Sequence, residues 1–292
     1  MDARNAHRDP ERELSDAVLA SFDATPDPRL RELLAGLVTH LHAFVRETRL
    51  TEDEWATAIR FLTDAGHLTD GKRQEFVLLS DVLGLSMQTV AVNHPTAVHV
   101  TESTVLGPFF VAGAPAIDHG GDIAFGASGE PCWVEGTVRD EHGELLGGAH
   151  LEVWEADDDG FYDVQYDGDR VAARGRLDAE ADGSYRFWAL TPTPYPIPDD
   201  GPVGQLLAAT GRSPMRAPHL HFMVSAPGCR TLTTHIFVGS EQPIADSVFG
   251  IRESLVRTFE RYGPETPTPD GRTIDGTWTR VRFDIVLARS DQ

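Results

Sequence analysis

Arg216-Ala-Pro-His-Leu-His-Phe-Met-Val224 reads as a β-strand that carries two histidines two residues apart. Successive strand side chains point to opposite faces, so residues i and i+2 share one face. His219 and His221 therefore aim both imidazoles at one point, and Phe222 and Val224 fall together on one face beyond them. A His-x-His pair also occurs where histidines line a groove or bond the backbone. Its company matters here. Two of the five tyrosines lie upstream in unusual settings: Tyr162 in Asp-Asp-Gly-Phe-Tyr-Asp-Val-Gln and Tyr195 in Pro-Thr-Pro-Tyr-Pro-Ile-Pro. Two imidazoles with two phenolates would form a hard, anionic site that suits ferric iron better than zinc.

Outward from this strand the alternation repeats. Val134, Gly136 and Val138 begin one strand, and His150, Glu152 and Trp154 alternate with Leu151, Val153 and Glu155 in another. Tyr185 and Phe187 share a face, as do Val281, Phe283, Ile285 and Leu287. Turn signals separate them at Asp140–Gly143, Asp157–Gly160 and Asp182-Gly183. Many short strands with such turns predict a β-sandwich or barrel over residues 96–292. The segment Ser247–Tyr262 reads as one short rim helix. The loop Thr191–Met215, rich in Pro and Gly, reads as a wall of the site.

Residues 1–95 read as helical. Leu30, Leu33, Leu34, Leu37, Leu41, Phe44 and Val45 follow a 3.6-residue period. Thr51-Glu-Asp-Glu54 is a capping box opening a second helix, Gly66 is a stop signal, and a further helix is expected over about 73–85. The fold class is therefore α+β, mainly β: a helical segment followed by a β-sandwich.

Bulk properties exclude several classes. A net charge of −21 argues against nucleic-acid binding. No apolar run reaches the length of a membrane span, so no membrane insertion is expected. The polar start Met1-Asp-Ala-Arg-Asn-Ala-His-Arg8 is not a signal peptide, and two isolated cysteines, Cys132 and Cys229, suit a reducing cytoplasm.

A longer set of motifs surrounds the four candidate ligands: Leu106-Gly-Pro-Phe-Phe-Val-Ala-Gly-Ala-Pro115, Gly136-Thr-Val-Arg-Asp140, Ala149-His-Leu-Glu-Val-Trp-Glu-Ala-Asp157, Gly160-Phe-Tyr-Asp163, Gly183-Ser-Tyr-Arg-Phe187 and the stretch 216–250. Together they resemble the intradiol ring-cleavage dioxygenases, non-haem ferric enzymes that open catechols between the two hydroxyls. The resemblance implies Fe(3+) held by Tyr162, Tyr195, His219 and His221. It implies that Tyr195 also serves as a base toward the diol, and that Arg216 stabilises negative charge on the ring. O2 is the implied co-substrate. The helical segment is the implied homodimer interface, with a phospholipid possible between its helices.

Within the family the chain is most similar to the branch acting on hydroxyquinol (benzene-1,2,4-triol). Glu75-Phe-Val-Leu-Leu-Ser-Asp81, Gly107-Pro-Phe-Phe110 and Thr234-His235 carry that likeness. It implies a substrate wall of Leu78, Asp81, Val105, Leu106, Gly107, Pro108 and Phe109, completed by Ile197, Pro198, Arg216 and His235. Leu106 departs from the aromatic residue expected there. Two rivals stand beside this reading: a catechol or chlorocatechol 1,2-dioxygenase, and a β-sandwich binding module with incidental histidines.

Overall fold

The alternating segments resolve into two five-stranded mixed sheets and one two-stranded ribbon. The protein is seen in a computed structural model that describes residues 10–70, 73–94, 99–239, 246 and 251–290. Its helices are α1 (Pro10–Ala20), α2 (Pro28–Thr48), α3 (Glu52–Leu68), α4 (Glu75–Val82), α5 (Leu85–Asn93) and α6 (Pro202–Ala209). The strands run β1 (Pro131–Asp140), β2 (His150–Trp154), β3 (Arg174–Asp178), β4 (Ser184–Leu190), β5 (Tyr195–Pro196) and β6 (Met215–Arg216). They continue with β7 (His219–Ser225), β8 (Leu232–Val238), β9 (Val256–Arg257), β10 (Glu260–Tyr262), β11 (Trp278–Arg282) and β12 (Ile285–Leu287).

One sheet has the order β10-β11-β1-β12, with β4 also paired to β1. The long β1 takes β11 in parallel along its first half and β12 in parallel along its second. The other sheet has the order β3-β2-β7-β8-β9. Period-two patterning explains how they close on each other. Leu151 and Val153 of β2, Leu220, Phe222 and Val224 of β7, and Val134 and Val138 of β1 enter one buried cluster with Phe283, Ile285 and Leu287. The intervening residues of β2 and β7, among them Trp154, His219 and His221, occupy the opposite face of their sheet. That face carries the chemistry.

The chain divides into two compact units, one ending at Asp64 and the other beginning at Ala65. In the first, Asp27 caps α2 by accepting from the Arg29 and Leu30 amides, with Pro28 at the start of the helix and Arg49 in the left-handed conformation at its end. Thr51 and Glu54 form the expected capping box: the Glu54 carboxylate accepts the Thr51 amide at 2.8 Å, and Thr51 Oγ1 accepts the Glu54 amide at 3.3 Å. The division at 64 falls before the expected boundary at 95. Helices α4 and α5 lie in the second unit, because α4 buries Glu75, Asp81 and Val82 within it.

Three local expectations are corrected. Helix α3 runs through Gly66 to Leu68; a Cβ at Gly66 would lie 3.9 Å from the Phe76 ring, so the position is open rather than a stop. The segment read as a rim helix contains a single 3-10 turn, Glu253–Leu255, then strands β9 and β10. Its Val256 pairs with Phe237 of β8, and sheet pairing overrides the local helical pattern. Residues 247–250 of that segment, and residues 1–9, lie outside those described. The loop 191–215 is interrupted by α6, opened by Pro202 at its first position. Among the described residues no single helix is long and apolar enough to cross a membrane; α4 and α5 together reach that composition but bend by 74° at their junction.

Candidate active site

His219 and His221 emerge from β7 on one face, as strand parity requires, and both are almost fully buried. The Nδ1 atom of His219 lies 2.7 Å from the Ala217 carbonyl. A carbonyl only accepts, so Nδ1 carries the proton and Nε2 presents its lone pair to the site. The His221 ring is set between two neighbours that the pairing register brings beside it. Trp154 of β2 stacks on it at 4.7 Å with planes 7° apart, and His235 of β8 meets it edge-on at 4.7 Å.

The tyrosines arrive from two loops. Asp157 accepts the Asp159 and Phe161 amides, which bends the chain after β2 and delivers Tyr162 to the head of a 3-10 turn. Gly160 in this bend has φ +82°, and a Cβ there would lie 2.8 Å from the Tyr195 Cβ. Only glycine lets the two tyrosine loops approach this closely. Tyr195 lies on β5, directly opposite Arg216 on β6.

The four donor atoms converge. Tyr162 Oη lies 3.0 Å from Tyr195 Oη, 3.5 Å from His219 Nε2 and 3.1 Å from His221 Nε2. His219 Nε2 lies 3.4 Å from Tyr195 Oη and 3.0 Å from His221 Nε2. A tetrahedron with edges of about 3.2 Å has its centre about 2.0 Å from each corner, the bond length of nitrogen and oxygen ligands to a first-row metal. Among the described residues no three His, Cys, Asp or Glu side chains make a metal site. The tyrosines are what complete one.

Burial governs the protonation of the set. It lowers the His219 imidazole to about 3, helped by the positive Arg216, and lowers His221 well below the usual range. Both rings are therefore neutral, the form a metal needs. Burial also raises both phenols, Tyr162 well above the usual range. A trivalent cation at the centre supplies the charge that would favour their phenolates. The donor set thus fits ferric iron.

These donors open on a cavity of about 870 Å³. Tyr162, Tyr195, His221 and Arg216 form one side of it. Leu78 and Asp81 come from α4, Val105, Gly107, Pro108 and Phe109 from the segment before β1, and Ile197 and Pro198 from the loop after β5. Phe109 stacks on Tyr162 at 4.6 Å, which ties the wall to a ligand. Arg216 is buried and its Nε donates to Asp246 Oδ2 at 2.8 Å.

Residues 27–101 match the sequence profile described as "Catechol dioxygenase N terminus", and residues 105–289 match "Dioxygenase". The chain belongs to the intradiol ring-cleavage dioxygenases. It is 67% identical to a hydroxyquinol 1,2-dioxygenase of Nocardioides simplex, over 95% of each chain. It is 60% identical to the hydroxyquinol 1,2-dioxygenase of Rhodococcus opacus, over 95% of this chain and 94% of that one. The solved hydroxyquinol 1,2-dioxygenase of Pseudomonas putida DLL-E4 superposes with a TM-score of 0.88 at 41% identity, covering 96% of this chain and 99% of that one.

In this dioxygenase the expected wall is nearly complete. Leu106 and His235 stand outside it. Leu106 is 41% exposed and is not among the residues that line the cavity. His235 is buried, its ring 5.0 Å from that of His219 and 4.7 Å from that of His221, with Nδ1 2.9 Å from Thr104 Oγ1. Asp81 is buried in the wall, and burial raises its carboxyl from 3.8 to about 6 against the pull of Ser86 and Arg216.

Sequence reasoning missed several participants. Trp154 was legible in part, because its strand parity follows from the alternation of β2; its stacking on His221 needed the register. Asp246, Thr104 and the Arg174–Asp163 ion pair at 2.6 Å gave no local signal, since each meets its partner only through the fold. Glu155 is buried and accepts the Leu190 amide at 2.8 Å, and burial raises its carboxyl well above the usual range.

Proposed function

We propose that this dioxygenase cleaves hydroxyquinol with O2 between the two adjacent hydroxyl-bearing carbons. The product is 3-hydroxy-cis,cis-muconate, which tautomerises to maleylacetate, a step in aromatic catabolism. The observation that carries this reading is the buried carboxyl of Asp81 on the same cavity as Tyr162, Tyr195, His221 and Arg216. A single-ring diol enclosed there meets one acidic group on α4, and hydroxyquinol has one hydroxyl more than catechol to offer it. A buried group that pairs with that hydroxyl is left unpaired when catechol binds, and this discriminates more strongly than an apolar wall.

Tyr162, Tyr195, His219 and His221 would hold Fe(3+). When bound, ferric iron would supply Lewis acidity that eases loss of the ortho hydroxyl protons and makes the electron-rich ring reactive toward O2. The protein's own groups do the rest. Tyr195, as the phenolate that a bound trivalent cation would favour, would accept a proton from the entering diol at Oη. Arg216, held by Asp246, stabilises negative charge that builds on the ring. Phe109 and Pro108 on one side, and Ile197 and Pro198 on the other, orient the ring and exclude water. Asp81 accepts the hydrogen of the third hydroxyl.

The partner we propose is a second copy of this chain. Leu30, Leu33, Leu37, Leu41 and Phe44 form one exposed stripe on α2, each between 46% and 55% exposed. Such a stripe exceeds what a monomer usually leaves to water. An acyl chain of a phospholipid packs against the same kind of surface. Cys132 and Cys229 are both unpaired, which supports a cytoplasmic location.

The test is the product formed from benzene-1,2,4-triol under isotopically labelled O2. A ring-opened diacid carrying both labelled atoms supports the reading. A product with one labelled atom, or none, rejects it.

A further inference from the structure

The α4 helix contributes three residues to the cavity wall. Glu75, Leu78 and Asp81 recur every three residues, so one helix face lines the cavity. Both ends of this short helix are tied to the segment between Tyr195 and Arg216. At the N-terminal end, Glu75 is fully buried and its Oε1 accepts the Val203 amide at 3.0 Å. Helix α6 has no cap of its own: Gly201 sits at the cap position and Pro202 has no N–H, so the Val203 amide is its first free donor. The Glu75 carboxylate fills that role from another helix, where the α6 dipole also favours a negative charge. Its second oxygen accepts from Arg73 Nε at 3.1 Å, and Arg73 in turn reaches Asp200 at 2.8 Å. A Cβ at Gly201 would lie 2.6 Å from Glu75 Oε1 and 2.7 Å from Arg73 Nη2, so the glycine is what admits this pairing. At the C-terminal end, Arg212 Nη1 donates to the Val82 carbonyl at 2.7 Å. The same segment that bears the base Tyr195 and the cation Arg216 thus grips α4 at both ends.

We infer that Glu75 and Arg212 are positioning residues for substrate choice: they clamp α4 so that Asp81 stands at a fixed place relative to Tyr195 and Arg216. A two-turn helix has little stability of its own, and a hydrogen bond to the third ring hydroxyl tolerates only a small displacement of its acceptor. Releasing either end therefore weakens recognition of the third hydroxyl before it weakens cleavage of the two that every diol shares. The inference deepens the hydroxyquinol reading and rests on it.

The experiment measures kcat and KM for hydroxyquinol and for catechol in iron-loaded wild type, Glu75→Gln, Glu75→Ala and Arg212→Met. Each substitution is also placed in an Asp81→Ala background. Amide exchange across α4 is followed in the same proteins. Glu75→Ala is expected to lower the preference for hydroxyquinol roughly tenfold, chiefly through KM, and to add little once Asp81 is gone. Glu75→Gln keeps an acceptor for the Val203 amide and is expected to fall between Glu75→Ala and wild type. Amides of α4 are expected to exchange faster in Glu75→Ala and Arg212→Met, while those of β7 stay protected. Equal losses for both substrates, full additivity with Asp81→Ala, or unaltered exchange of α4 would each overturn the clamp. Faster exchange of α4 in a protein whose wild type shows no preference for hydroxyquinol would leave the clamp standing and reject the substrate reading instead.

Discussion

Tyr162 and Tyr195 are phenols that burial keeps neutral, and His219 and His221 are imidazoles that burial keeps neutral. Five of the separations among their Oη and Nε2 atoms are 3.0–3.5 Å, which fits a cation site by geometry, and a trivalent ion there would favour the two phenolates. Tyr162→Phe and His221→Ala each remove one of the four proposed protein ligands. Both are expected to lose most of the bound iron and its phenolate colour, read as metal per chain and as visible absorbance; full occupancy in either would take that residue out of the set. Asp81 makes a prediction with a definite sign. Its carboxyl rises from 3.8 to about 6 on folding, so the folded chain holds this proton more tightly than the unfolded one. The stabilisation is fully present below about 3.8 and is lost as pH rises through about 6. Above that, the buried charge costs about 3 kcal/mol. Asp81→Asn should therefore raise the unfolding free energy near about pH 8 and change it little near about pH 3, in denaturant titrations at the two values. Its kcat/KM for hydroxyquinol should fall nonetheless, because a function that needs a buried charge trades against stability. At this scale the shared face of His219 and His221 is legible from strand parity, while the meeting of those histidines with Tyr162 and Tyr195 was expected only from the surrounding motifs. Trp154, Thr104 and Asp246 were not, since their roles exist only through partners distant in the chain.

Among the elements, β2, β7 and the flanking strands were readable because alternation is a local signal. Three elements differ from their local signals, each for its own reason. In the described part of the expected rim helix, Val256 and Arg257 pair with β8 instead, α3 runs past a glycine that has open space around it, and α6 is hidden inside a Pro- and Gly-rich stretch. Pro202 at the first helical position was the available clue to α6, and Val-Gly-Gln-Leu-Leu-Ala-Ala after it is helical in character. The bend around Gly160 is the element on which the donor geometry turns. Gly160→Val would force a side chain into a left-handed position 2.8 Å from the Tyr195 Cβ. A loss of about 1–3 kcal/mol in stability, together with weakened iron retention, is expected from thermal unfolding and metal analysis. Normal iron content with only a lowered Tm would assign the glycine to the turn and not to the site.

For the whole molecule, the helical character of the first segment is legible in the sequence. A 3.6-residue period marks a helix without saying which unit it joins, and α4 joins the second unit because Glu75 and Asp81 are buried there. The substrate pocket therefore draws on a helix that reads, in sequence, as part of the dimerisation segment. Light scattering tests the assembly: wild type is expected as a dimer at micromolar concentration, and Leu37→Glu with Leu41→Glu, both on the exposed α2 stripe, as a monomer. A monomeric wild type would contradict the proposed partner. The central claim is that this cavity selects hydroxyquinol through Asp81, and competing O2-consumption assays with hydroxyquinol and catechol test it most directly. Wild type is expected to favour hydroxyquinol in kcat/KM, and Asp81→Ala to lose about 1–3 kcal/mol of transition-state binding for that substrate with little change for catechol. A wild type that favours catechol, or a variant that loses both activities in equal proportion, would contradict it.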